Sequence, residues 1–123
     1  MKLVSYEYLG GIKVGAVKNN GVVDLSDVGT SLKEILSLGP LDNLVNLVET
    51  RAPVADLDNV ILYPVIPDAG RIICVGRNYH KHVKEMGADL PEHPFLFLRT
   101  AQSLVGHRQS LIKSKIAEKY DFP

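Results

Sequence analysis

The 123-residue sequence predicts an α+β fold: a small N-terminal β-meander with two helices, then a second part built on two more strands. Three observations carry that prediction. Strand-forming runs between residues 3 and 25 are separated by Gly10-Gly11 and Asn19-Asn20-Gly21, the pattern of short antiparallel strands joined by tight turns. Between residues 31 and 50 the hydrophobic period lengthens from two to about 3.6 residues, which calls for two amphipathic helices. Two further apolar runs, Ile72-Ile73-Cys74-Val75 and Phe95-Leu96-Phe97-Leu98, then flank a short polar helical stretch.

Taken in order, residues 3–8 are rich in strand formers, residues 12–17 alternate apolar with small or polar types, and residues 22–25 make a third short strand. Asn and Gly tolerate the positive φ of a type I′ turn, so Asn19-Asn20-Gly21 marks a hairpin. Thr30 or Ser31 caps the first helix, and Glu34 follows Ser31 at capping-box spacing. Leu32, Ile35, Leu36 and Leu38 give this helix its apolar face, and Gly39-Pro40 ends it. The second helix covers residues 41–50 and turns Leu41, Leu44, Val45, Leu47 and Val48 to a core. Both helices read as packing elements rather than as a partner-binding surface. Residues 51–58 are a polar, proline-containing connection, residues 60–63 are strand-like, and Pro64, Pro67, Asp68, Ala69 and Gly70 form a stiff linker. The chain thus divides into a small β/α domain, 1–66, and a second part, 67–123.

Residues 70–87, GRIICVGRNYHKHVKEMG, organise the second part. Ile72-Ile73-Cys74-Val75 reads as a short buried strand bounded by Gly70 and Gly76. Asn78 is the expected N-cap, residues 80–86 make two turns of helix, and Gly87 stands where a helix enters the left-handed region. On that helix His82 and Glu85 share a face. A carboxylate beside an imidazole fixes its tautomer and raises its basicity, which suits a general base near neutral pH. The same pair is also common on ordinary surface helices. His80, Lys81 and Lys84 make the helix cationic. Beyond it, Leu90-Pro91-Glu92-His93-Pro94 is loop, residues 95–98 form another buried strand, residues 110–112 a short strand and residues 114–119 a helical turn.

Composition narrows the functional classes. No apolar run approaches the roughly 20 residues of a membrane-spanning helix, and the N-terminus shows no signal-peptide core. The one cysteine, Cys74, lies inside an apolar strand and reads as a buried, inert thiol. These features point to a cytoplasmic protein. Net charge is zero but uneven: residues 1–62 hold 5 Lys/Arg against 8 Asp/Glu, and residues 63–123 hold 9 against 6 together with all four His. That asymmetry suits an anionic small ligand and falls short of a nucleic-acid binder. Arg108, Lys113, Lys115 and Lys119, without interleaved aromatics, read as a solvated face rather than a polyanion site.

These residues carry a family likeness. The run Ile73-Cys74-Val75-Gly76-Arg77-Asn78-Tyr79, followed by His82 and Glu85, resembles the start of the catalytic domain in the fumarylacetoacetate hydrolase superfamily. So do the spacing to Leu90-Pro91-Glu92-His93-Pro94-Phe95-Leu96-Phe97-Leu98 and on to Ser103-Leu104-Val105-Gly106. Tyr120-Asp121-Phe122 is similar to the lead-in to that family's Glu-x-Glu motif. The likeness covers residues 60–122, and residues 1–58 resemble the small N-terminal region of some bacterial members. It implies that 67–123 begins a mixed β-roll. It also implies metal-dependent hydrolysis of C–C bonds in acylpyruvate or β-diketo acids, with decarboxylation or isomerisation in relatives. The implied cofactor is Mg²⁺ or Mn²⁺, hard cations that take oxygen ligands and polarise a carbonyl. His82 and Glu85 match the family's water-activating dyad, carried on a helix that acts as a lid. Arg77 is a candidate for the substrate carboxylate, with a plain surface arginine as the alternative. The implied partners are a small 2-oxo acid and a second copy in a homodimer, with no nucleic acid and no membrane.

The sequence also departs from the family pattern. The family's metal ligands are the two Glu of Glu-x-Glu and a later Asp, whereas Asp121-Phe122 is followed here by Pro123, so no metal carboxylate carries over. Nor do Asp89, Glu92 and His93 build a site with the helix, since His80 and His82 point about 200° apart. The expectation is an N-terminal fragment that binds no metal and is inactive by itself. The alternative is a non-catalytic small domain that mediates subunit packing through the exposed edges of its apolar strands.

Overall fold

Each of the first two hairpins closes on a pair of residues with positive φ: Leu9 and Gly10 at 52° and 80°, Asn19 and Asn20 at 48° and 61°. That is type I′ geometry, whose twist matches the strands it joins. The structure, a computed structural model, describes residues 1–118. Its elements are β1 Lys2–Tyr8, β2 Gly11–Lys18, β3 Gly21–Asp24, α1 Leu32–Ser37, α2 Asp42–Thr50, β4 Ala55–Asp56, β5 Ile61–Leu62, β6 Ile72–Gly76, α3 His80–Glu85 and β7 Phe95–Arg99, with 3₁₀ turns at Leu57–Asn59 and Ala101–Ser103. No helix among the described residues is long and apolar enough to cross a membrane. The chain forms two units, Met1–Pro67 with the residues from Val105 onward, and Asp68–Leu104.

The first unit is a curled antiparallel sheet in the order β4-β3-β2-β1-β5. The register aligns Leu3 with Ala16 and Ala16 with Val23, so these side chains share one face with Val14 and Leu25. Leu32 and Ile35 of α1 and Leu44 and Val48 of α2 close over that face to complete the core. Fully burying a side chain such as Leu25 contributes about 1.5–3 kcal/mol. On the opposite face Gly15 makes room for the Tyr6 ring: a Cβ there would lie 3.0 Å from the ring and 2.6 Å from the Val23 carbonyl. Tyr6 is wholly buried, and its hydroxyl makes no hydrogen bond. Burial first, and then the neighbouring Asp24 carboxylate, push this phenol well above its ordinary pKa.

Local chemistry fixes the helix ends. The Glu34 amide donates to Ser31 Oγ at 3.1 Å, as the capping spacing predicts, while the Glu34 carboxylate accepts from the Thr30 amide and hydroxyl at 2.7 and 2.8 Å. Lys18 Nζ crosses from β2 to donate to the carbonyls of Val48, Glu49 and Arg51, placing a cation on the C-terminus of α2. Arg51 then grips Asp27 with two 2.7 Å bonds.

Several expectations need correction. Leu36 and Leu38 are 46% and 64% exposed and Val45 is 40% exposed, because a six- and a nine-residue helix each present only a narrow stripe to the sheet. The 51–58 connection is not all loop: Ala55–Asp56 pairs with β3. Residues 110–112 form no strand, and the 114–119 stretch shows a single turn closed by the Ala117 amide on Ser114 O. Lys119 and the Tyr120-Asp121-Phe122 lead-in lie outside the described residues.

In the second unit β6 and β7 form an antiparallel two-stranded ribbon running from Ile72↔Arg99 to Gly76↔Phe95. Both strands were expected to be buried. Instead Ile73, Phe95, Leu96 and Leu98 are 61%, 58%, 57% and 71% exposed, and Cys74 is only half-buried. A ribbon has two faces, and this unit has one short helix to cover them.

Candidate functional site

Between β6 and β7 the chain rises into α3, whose C-terminal end is built from its own backbone. Gly87 takes φ +63°, its amide donates to Lys84 O, and the Ala88 amide donates to Val83 O at 3.2 Å. That pairing is a Schellman motif, and it stops the helix at the glycine the sequence marked. The N-terminal end differs from expectation. Tyr79, not Asn78, occupies the cap position, and no side chain caps the helix. Val83 anchors α3 at 1% exposure.

His82 and Glu85 fall one turn apart on the exposed surface of this helix, with His82 Nδ1 at 4.0 Å from Glu85 Oε2. That is ion-pair range and longer than a hydrogen bond. Both side chains are more than half exposed, which leaves the imidazole open to a ligand.

Arg77 sits elsewhere. It follows Gly76, where β6 pairs with the start of β7, and it holds a left-handed backbone at φ +53°. Gly76 lets the strands close here, since a Cβ would lie 2.6 Å from the Phe95 ring. One step beyond this pair the chain leaves at Arg77 and returns at Pro94. That crossing makes a cleft of about 390 Å³ with Arg77, Asn78 and His80 on one side and Glu92 and His93 on the other. His82 and Glu85 do not line it. The structure therefore brings His82 to Glu85, and Arg77 to His80, Glu92 and His93. Sequence reasoning had weighed Glu92 and His93 only as loop residues or metal donors. The signal that relates them to Arg77 is the strand register.

Among the described residues no three His, Cys, Asp or Glu side chains gather to hold an ion.

The family model for the C-terminal domain of fumarylacetoacetate hydrolase matches residues 71–122, the stretch that holds β6, α3, Arg77 and β7. Over these residues the chain resembles the fumarylacetoacetate hydrolase superfamily. A fumarylacetoacetate hydrolase domain-containing protein 2 homolog of Dictyostelium discoideum is 28% identical across 89% of the chain and 38% of its own length. A mitochondrial oxaloacetate tautomerase of Bos taurus is 26% identical across 99% of the chain and 42% of its length. The oxaloacetate tautomerase YcgM of Escherichia coli is 47% identical over 49 residues, 40% of the chain and 20% of that protein. The chain thus spans about two fifths of the length of the relatives it matches end to end. Those long alignments take in the first unit as well as the superfamily segment.

Proposed function

We propose that the chain contributes the acid–base helix of a superfamily enzyme that acts on a 2-oxo acid, with His82 as the base and Glu85 as its charge partner. One observation carries this reading: the pair shares an exposed face of α3, 4.0 Å apart, within the segment that defines the superfamily. An exposed imidazole reaches a ligand proton directly. Taking a proton from the carbon next to the oxo group yields the enolate, and delivering that proton to the oxo oxygen gives the enol; in the reverse direction the enol hydroxyl gives up its proton and the carbon receives one. Taking it from water instead gives the nucleophile for C–C hydrolysis of an acylpyruvate or β-diketo acid. The names of the bovine and bacterial relatives favour the first reaction. Mg²⁺ or Mn²⁺ belongs to the proposal as the Lewis acid that would polarise the oxo group. The exposed apolar ribbon supports the further reading that β6 and β7 are the first strands of a larger mixed β-roll, and equally supports a role in subunit packing.

The test is enol–keto conversion of oxaloacetate, followed by ultraviolet absorbance with Mg²⁺ or Mn²⁺ present; a protein-dependent rate in the parent chain would overturn the expectation that it is inactive by itself, and the variants are read against that rate. His82→Ala is expected to lower the protein-dependent rate by a factor of about 10²–10⁴, and Glu85→Gln by about tenfold. Neither variant should shift the unfolding midpoint, since both side chains are exposed. Rates unchanged in both variants would discard the proposal.

A further inference from the structure

Among the described tyrosines, Tyr79 stands apart. Tyr6 is sealed in the first unit, Tyr8 donates to Val54 O at 3.2 Å, and Tyr63 donates to the Glu7 carboxylate at 2.9 Å. A phenol ordinarily buries its ring and wets only its tip. Tyr79 instead holds its whole side chain in solvent at 74% exposure, and its hydroxyl makes no hydrogen bond with any described residue. Nor is the side chain used to cap α3.

Tyr79 also lies on the dyad's side of the helix. Its carbonyl accepts from the Val83 amide at 3.1 Å, so its Cα begins the helical path. At 100° per residue, Tyr79 and His82 are about 60° apart around the axis, with Cβ atoms at the roughly 5–6 Å spacing of i, i+3 neighbours. Met86, 49% exposed, falls between them in angle. His80 and Lys84 are each about 200° around from His82, on the far side. One small ligand can therefore touch the Tyr79 hydroxyl and the His82 imidazole together.

We propose that Tyr79 is a second catalytic residue, the donor to the oxo oxygen while His82 takes the proton from the neighbouring carbon. The proposal rests on the acid–base reading above and adds the acid that it lacks. The C–H electron pair becomes the carbon–carbon double bond, the carbonyl π pair moves onto oxygen, and that oxygen receives the Tyr79 proton to give the enol. The imidazolium then returns the carbon's proton to the phenolate, directly or through water, and both side chains are restored. Without Tyr79, His82 would have to carry the proton from carbon to oxygen itself.

The test titrates oxalate, a stable planar mimic of a 2-oxo acid enolate, into the full chain without metal and reads the tyrosine and histidine ring signals by NMR. Tyr79 and His82 are expected to shift with one midpoint, while Tyr8, Tyr63, His80 and His107 stay in place. Tyr79→Phe keeps the ring and removes only the hydroxyl; it should weaken oxalate about fivefold and leave the unfolding midpoint unchanged. Any protein-dependent oxaloacetate rate should fall about 10²-fold in the same variant. An unmoved Tyr79 ring, or an oxalate affinity equal to the parent's in Tyr79→Phe, would overturn its role. If His82 still shifts in that case, the proposed base stands without its acid. A Tyr79 shift with His82 unmoved would overturn the pairing and the base together, so the two failures are told apart.

Discussion

In the first unit, side chains from β2, β3, α1 and α2 close around one core, and several of the cations there have partners. Lys13 meets Asp24 at 2.7 Å, Arg51 grips Asp27, and Arg108 meets Asp58 at 2.9 Å. In the second unit Val83 is the one fully buried side chain, Ile73, Val75, Phe95, Leu96 and Leu98 of the two strands are exposed, and Arg77, His80 and His93 have no partners among the described residues. The contrast separates two kinds of physical work. Packing and paired charges stabilise the sheet, while unspent donors and an exposed imidazole gather on the ribbon and its helix. Groups satisfied by their own protein have little left to offer a ligand.

The largest expected effect sets the two units directly against each other. Leu25→Ala should cost about 3 kcal/mol in urea unfolding, as a core truncation does, whereas Leu98→Ala should cost less than about 0.5 kcal/mol. Similar costs at the two sites would show that the ribbon is covered in solution.

A smaller effect tests the charge pairing in the first unit. Burial pushes the Asp24 carboxyl up, but hydrogen bonds from Lys13 and from Ser26 outweigh it and hold the group at about 2, below its ordinary 3.8. A depressed carboxyl contributes stability that is complete above the unfolded value and lost as pH falls through the folded one. The protein should therefore lose stability between about pH 4 and pH 2, and Asp24→Asn should flatten that dependence. Because the Lys13–Asp24 pair retains solvent contact, the loss at neutral pH should be about 1–2 kcal/mol rather than the full value of the shift. An acid transition identical in the variant would assign the loss to other carboxylates.

The smallest expected effect lies just after β6. Arg77→Gly relieves a left-handed backbone and loosens the unfolded chain, two changes that nearly cancel. It should leave the stability to urea within about 0.5 kcal/mol of the parent. A large loss of stability would mean that the guanidinium holds the ribbon together.

Much of this was legible from local chemistry. The Asn19-Asn20 turn, the Ser31 cap with Glu34 and the Gly87 stop each depend on residues within a few positions of one another. The short motifs around residues 73–106 were likewise enough to place the chain beside the superfamily, which the match over 71–122 supports. The cap at Asn78 failed for an equally local reason, since the chain spends one more residue, Tyr79, before the first helical turn.

The sequence by itself determined where strands and helices start, turn and stop, because φ preferences and short-range hydrogen bonds are written into neighbouring residues. Only the tertiary structure decided which apolar residues are buried. Ile35 and Leu36 are adjacent leucine-like side chains, yet one is sealed against the sheet and the other is 46% exposed. It also decided that Tyr6 lies across Gly15 beside Asp24, and that Arg77 shares a cleft with His93 rather than with His82. Burial and convergence depend on which distant segment supplies the opposing surface, and that choice is made by strand register and layer packing, over separations that no local pattern encodes.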